Sequence, residues 1–152
     1  MPSPDPNAPT AFLKALTPEA ERSLSGPSAR IPHFPFRVGR DSRRRIMPLV
    51  PSRRKQDSPP SSDLYLKERG AAAFVSREHC LIDFRNGVFV LEDRGSFYGT
   101  LVEGVQVGGQ KLGGHKPLSH GDVLIFGGSG SPFAFKFLTE PPPETETPKP
   151  AK

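Results

Sequence analysis

A single cysteine, Cys80, rules out an intramolecular disulfide framework, and no cluster of Cys and His has the spacing of a zinc site. A reducing, intracellular location, with no metal and no cofactor, is the expectation. Long apolar runs are missing too: only 34% of the 152 residues are hydrophobic, and none of the runs approaches the length of a membrane-spanning helix. The start Met1-Pro2-Ser3-Pro4-Asp5 lacks the basic stretch and apolar run of a secretory signal, so no secretory signal is expected. Helical periodicity of useful length is absent from residue 34 onward, which argues against a helical domain.

What is present is proline, and it is unevenly placed. The 19 prolines cluster in 1–9, 48–60 and 141–150, where a packed core would be hard to sustain. The chain length fits one domain with attached segments. The expected organisation is a leader over 1–30, a domain over 31–139 interrupted by a basic, disordered insertion at 41–62, and a disordered tail over 140–152. Within the leader, Thr17-Pro18-Glu19 reads as a helix start, with Thr17 as cap and Pro18 in the first turn. Whether this short helix packs against the domain is left open.

From Phe34 the pattern becomes short apolar runs broken by Gly, Asn, Asp, Ser or Pro, an all-β signature. Strands are expected over 34–39, 63–66, 80–84, 88–93, 100–102, 123–126 and 133–138, with shorter ones near Val105 and Lys111. Arg85-Asn86-Gly87 supplies residues that tolerate left-handed turn geometry, so the two strands flanking it should form a hairpin. This many strands implies two packed sheets with the connecting loops gathered at the ends.

Charge is as uneven as proline. Between residues 37 and 55 stand eight Arg or Lys against one acid, Asp41, whereas the whole chain carries a net charge of only +5. The basic character is therefore a local patch, and such a patch next to a binding loop favours an anionic partner.

Three motifs follow in order: Phe36-Arg37-Val38-Gly39-Arg40, then Val75-Ser76-Arg77-Glu78-His79-Cys80, then a stretch from Asp93 through Gly95, Ser96, Phe97, Tyr98, Gly99 and Thr100 to Gly104. With Ser62-Asp63-Leu64-Tyr65-Leu66 and a run from Leu118 to Gly127, their order and spacing resemble the forkhead-associated (FHA) domain family over roughly residues 34–138. The resemblance implies an FHA-type (SMAD/FHA) β-sandwich of about eleven strands. It also implies a module that recognises phosphothreonine in partner proteins for signalling or assembly.

The ligand explains the residue types. A phosphate monoester is a dianion with three acceptor oxygens, so its site needs charge and directed donors. The resemblance gives Arg40 the phosphate-gripping role, for which a planar guanidinium is better suited than an ammonium. It makes Ser76 the second phosphate ligand and Arg77 an electrostatic or peptide contact. His79 would hold the Ser76 loop without touching phosphate. Gly39, Gly99 and Thr100 support the site structurally.

Phe97 and Tyr98 depart from the family, which has at these positions a small polar residue and an asparagine that bonds the peptide backbone. They are expected to meet the peptide differently, Tyr98 through its hydroxyl or by stacking. Phe74 departs likewise, where some members carry a basic residue.

Three other readings were weighed. A degenerate FHA domain would join proteins through Phe74, Phe97 and Tyr98 without needing phosphate. The arginines at 43–55 would suit nucleic acid, but no aromatic platform interleaves with them, so nucleic acid is not the expected partner; they would instead steer acidic phosphopeptides toward Arg40. Enzyme activity is not expected: Ser76 and His79 have no third orienting acid, and Gly127-Gly128-Ser129-Gly130-Ser131 is not a nucleophile elbow. Ser58-Pro59 and Thr147-Pro148 resemble proline-directed phosphorylation sites through which copies would self-associate.

Overall fold

The computed structural model describes residues 9–40, 62–67 and 74–140. The expectations placed on 1–8, on nearly all of the 41–62 insertion with its arginines and Ser58-Pro59, and on the 141–152 tail with Thr147-Pro148 lie outside the described residues.

The first strand, β1 (Thr10–Ala15), leads into the helix α1 (Pro18–Leu24), and β2 (Ser28–Arg30) follows. The Thr17 hydroxyl accepts the Ala20 amide at 3.1 Å, so the expected cap forms, and Ser25 in the left-handed region at φ 63 closes the helix. The sequence reading had no strand before residue 34. β1 is nonetheless paired on both sides, with β2 and with the last strand, β11 (Ala134–Glu140).

The other strands are β3 (Phe36–Arg40), β4 (Leu64–Leu66), β5 (Cys80–Arg85), β6 (Val88–Asp93), β7 (Thr100–Val102), β8 (Val105–Val107), β9 (Gly114–Leu118) and β10 (Val123–Phe126). They form two sheets, ordered β2-β1-β11-β10-β7-β8 and β4-β3-β5-β6-β9. The all-β sandwich of eleven strands with one short helix matches the expected fold class. Near Lys111 the expected strand is absent, because Gln110 (φ 52) and Lys111 (φ 66) both take left-handed conformations that end an extended chain. The strand begins instead at Gly114.

Period-two burial builds the core between the sheets. Phe135 and Phe137 on β11, Leu124 and Phe126 on β10 and Leu13 on β1 face Val38, Ile82 and Leu91 from the second sheet, all at 1% exposure or less. Fully burying one such side chain contributes about 1.5–3 kcal/mol. The β5–β6 hairpin turns through Asn86 (φ 53) and Gly87 (φ 80), as the Asn-Gly pair predicts.

Register sets where the loops go. Val38 pairs with Cys80, Cys80 with Asp93, Asp93 with Gly114, and Thr100 with Val107 and Phe126. The end of β3, the start of β5, the end of β6, the start of β7, the end of β8 and the start of β9 therefore meet at one edge of the sandwich. Every residue of the three motifs that was assigned to the site lies there.

Candidate functional site

Arg40 is the last residue of β3, so its backbone is fixed by the sheet while its side chain leaves it. Its amide donates to the Ser76 carbonyl at 3.0 Å, which ties the strand end to the 74–79 segment. One terminal guanidinium nitrogen donates to the Val75 carbonyl at 3.3 Å. The Arg40 Nε is buried and has no hydrogen-bond partner among the described residues. A buried charged donor left in this way costs on the order of 1–3 kcal/mol.

Gly39 makes this approach possible. A Cβ at that position would overlap the Arg77 carbonyl oxygen and the Ser62 hydroxyl. The glycine is required by close packing of the 76–77 backbone on β3, not by its own conformation.

Ser76 is held by three bonds. Besides the Arg40 amide on its carbonyl, its own amide donates to His79 Nδ1 at 3.1 Å, and its hydroxyl oxygen accepts the Phe97 amide at 3.1 Å. With the hydroxyl oxygen already accepting, its single O–H is left to donate outward.

His79 has no exposed surface. Since Nδ1 accepts from Ser76, the ring proton sits on Nε2, which donates to the Gly99 carbonyl at 2.8 Å beside the Thr100 hydroxyl at 3.2 Å. Burial lowers the pKa of this histidine from its usual value, which agrees with a neutral, bridging ring. His79 thus links the 76–79 turn to the 93–100 loop, and it lies away from the pocket.

The 93–100 loop carries its own brace. The Asp93 carboxylate, 5% exposed, accepts the Gly95 amide (2.8 Å), the Ser96 amide (2.9 Å) and the Ser96 hydroxyl (2.5 Å). Ser96 Oγ in turn accepts the Gly99 amide at 2.9 Å. Gly99 sits at φ 76, where a Cβ would strike the Gln106 amide, and the fully buried Thr100 begins β7.

Between these loops lies a cavity of about 780 Å³, lined by Arg40, Ser76, Arg77, Glu78, Arg94, Gly95 and Lys111. The structure thus brings Arg40, Ser76 and Arg77 to one pocket, with Gly39, His79, Gly99 and Thr100 behind it. Phe97 and Tyr98 are at the rim, 52% and 48% exposed, and face a second, smaller cavity of about 300 Å³ shared with Gln106 and Leu112. Phe74 packs near Tyr98, with ring centres 6.3 Å apart. Arg37 points elsewhere and pairs with Asp63 at 3.0 Å.

Sequence reasoning missed Arg94, Glu78 and Lys111 as lining residues. Asp93-Arg94-Gly95-Ser96 carries a turn signal, an Asp followed by Gly and Ser, from which the position of Arg94 was accessible. Lys111 has no comparable signal. Among the described residues, no group of His, Cys, Asp or Glu is placed to hold a metal ion, and no helix is long and apolar enough to cross a membrane.

A family model described as the FHA domain matches residues 36–127. Similar solved structures include Mycobacterium tuberculosis EmbR in complex with a low-affinity phosphopeptide, 19% identical with a TM-score of 0.54, the match covering 86% of this chain and 24% of that one. Another, from work on phosphothreonine-dependent FHA domain interactions, is 20% identical with a TM-score of 0.54 and covers 87% of this chain and 98% of that one. The solution structure of an Arabidopsis thaliana FHA domain is 19% identical with a TM-score of 0.57, covering 90% and 91%. No curated protein sequence matches the chain. At these identities the structural likeness speaks to the fold.

Proposed function

This chain belongs to the FHA domain family, and on that premise we propose that it is a phosphothreonine reader, a binding module that docks on phosphorylated segments of partner proteins. The observation that carries the reading is the pairing of Arg40 with Ser76 in one pocket. The Arg40 guanidinium and the hydroxyl of Ser76, which line one pocket, are two donors of the kind a phosphate dianion accepts from. Arg77 on the same wall adds charge. Because both donors are fixed by backbone bonds before any ligand arrives, little ordering is required on binding. A binding pocket is the role, and no step of bond chemistry is assigned to it.

A second reading has its own observation. Phe97, Tyr98 and Leu112 are 52%, 48% and 82% exposed beside one small cavity, which suits apolar contact with a protein irrespective of phosphate.

A degenerate peptide library in phosphothreonine, phosphoserine and unphosphorylated forms separates the two, measured on the wild type and on Arg40→Ala. The reader binds the phosphothreonine form and loses at least about tenfold in Arg40→Ala, the size of one charge-assisted hydrogen bond. Binding that ignores both the phosphate and the mutation would replace it with the apolar scaffold.

A further inference from the structure

The pocket holds more positive charge than one phosphate uses. Among the described residues, Arg40, Arg77, Arg94 and Lys111 line it against a single acid, Glu78, an excess of three positive charges in the lining. A phosphothreonine brings about −1.5 to −2. The cavity volume of about 780 Å³ also lies within the ~300–1,000 Å³ of sites that enclose a multi-group ligand.

One of these charges, Lys111, comes from a loop outside the three motifs. β8 and the β8–β9 connection are docked on the 93–98 loop by three bonds: Gln110 N–H to the Phe97 carbonyl (2.5 Å), Lys111 N–H to the Ser96 carbonyl (2.8 Å) and, from β8, Gln106 Nε2 to the Tyr98 carbonyl (2.9 Å). Gly108, at φ 74, lies so close to Asp93 that a Cβ would overlap the carboxylate. Lys111 itself sits at φ 66, in the left-handed region that side-chain-bearing residues adopt uncommonly. Lys111 lines the pocket as an exposed side chain, and no hydrogen bond or ion pair holds its ammonium among the described residues. Arg94 stands on the same wall, 3.8 Å from Glu78.

We propose that Lys111, with Arg94 beside it, forms a second anion subsite next to the Arg40–Ser76 phosphate position, and that the ligand is an acidic phosphopeptide whose neighbouring residue supplies the second anion. This rests on the phosphothreonine reading. A carboxylate and a second phosphate are the two chemical sources, and both are acceptors that the lysine and arginine satisfy.

The test uses phosphothreonine peptides whose flanking residues are neutral, Asp/Glu or phosphoserine, titrated against the wild type, Lys111→Gln, Lys111→Gly and Arg40→Ala. Lys111→Gly removes the charge while relaxing the left-handed position, so the loop is retained. The wild type should bind Asp/Glu- or phosphoserine-flanked peptides about two- to fivefold more tightly than neutral ones, the range for solvated charge contacts. Both Lys111 variants should erase most of that preference and weaken neutral-flanked binding by less than they weaken acidic-flanked binding. Arg40→Ala should weaken all three classes. A preference unchanged by Lys111→Gln and Lys111→Gly, or no preference while phosphothreonine binding persists, overturns the second subsite alone. Failure of every phosphothreonine peptide to bind the wild type overturns the reader and the subsite together.

Discussion

The Ser76–His79 turn and the Phe97–Tyr98 tip touch through the bond from the Phe97 amide to the Ser76 hydroxyl, yet they are built by opposite means. Behind Ser76, a fully buried imidazole bridges two loops, and every polar contact that orients the hydroxyl is internal. At positions 97 and 98, two aromatic rings stand about half exposed, 4.8 Å apart and nearly perpendicular, packed chiefly on each other and on Phe74. The first construction fixes directions, which a charged ligand needs. The second offers area, which tolerates many partners. A site combining them can read one charged group strictly and its surroundings loosely.

The comparison is broken most severely from the buried side. His79→Ala removes a ring with no exposed surface together with its bonds to Ser76 and Gly99, and should cost about 3 kcal/mol in chemical denaturation. The same residue gives a pH signature. Burial lowers the His79 pKa from 6.5, so the unfolded chain takes up a proton that the folded chain refuses. Stability is complete above about pH 6.5 and declines as pH falls below it toward the folded-state pKa; His79→Gln should flatten that decline.

Next in size is Ser76→Ala, which deletes the outward donor and the acceptor of the Phe97 amide. Calorimetric titration with a phosphothreonine peptide should show a loss of about tenfold or more, while thermal stability falls by no more than about 1 kcal/mol. The smallest effects belong to the aromatic tip. Phe97→Ala and Tyr98→Ala should leave stability within about 0.5 kcal/mol, as for exposed surface positions, and change phosphopeptide affinity only a few-fold. A loss at Tyr98 equal to that at Ser76 would erase the distinction between the two regions.

How much of this was legible in the sequence follows from what is local. The β5–β6 hairpin was readable because Asn86-Gly87 encodes its own turn, and α1 because Thr17-Pro18 encodes its own start. Arg40 and Ser76 were singled out only through the resemblance that several motifs in order carry together, and the structure places both in the lining of one pocket. β1 was not readable because its extended form is held by pairing with β11 more than 100 residues away, as Leu13 is with Phe137, and β2 is extended only because it pairs in turn on β1. Lys111 was misread as strand for a related reason. Its conformation is dictated by hydrogen bonds to Ser96 and its neighbours across the edge of the sandwich, which no local propensity records.

The central claim is that the Arg40–Ser76 half holds the phosphate and the aromatic half does not. The direct measurement is an amide and guanidinium NMR titration with one library-selected phosphothreonine peptide and its unphosphorylated twin. The account expects large phosphate-dependent shifts at the Arg40 Nε–H, at Ser76 and at the Phe97 amide. Shifts confined to residues 97–112, and identical for the two peptides, would contradict it.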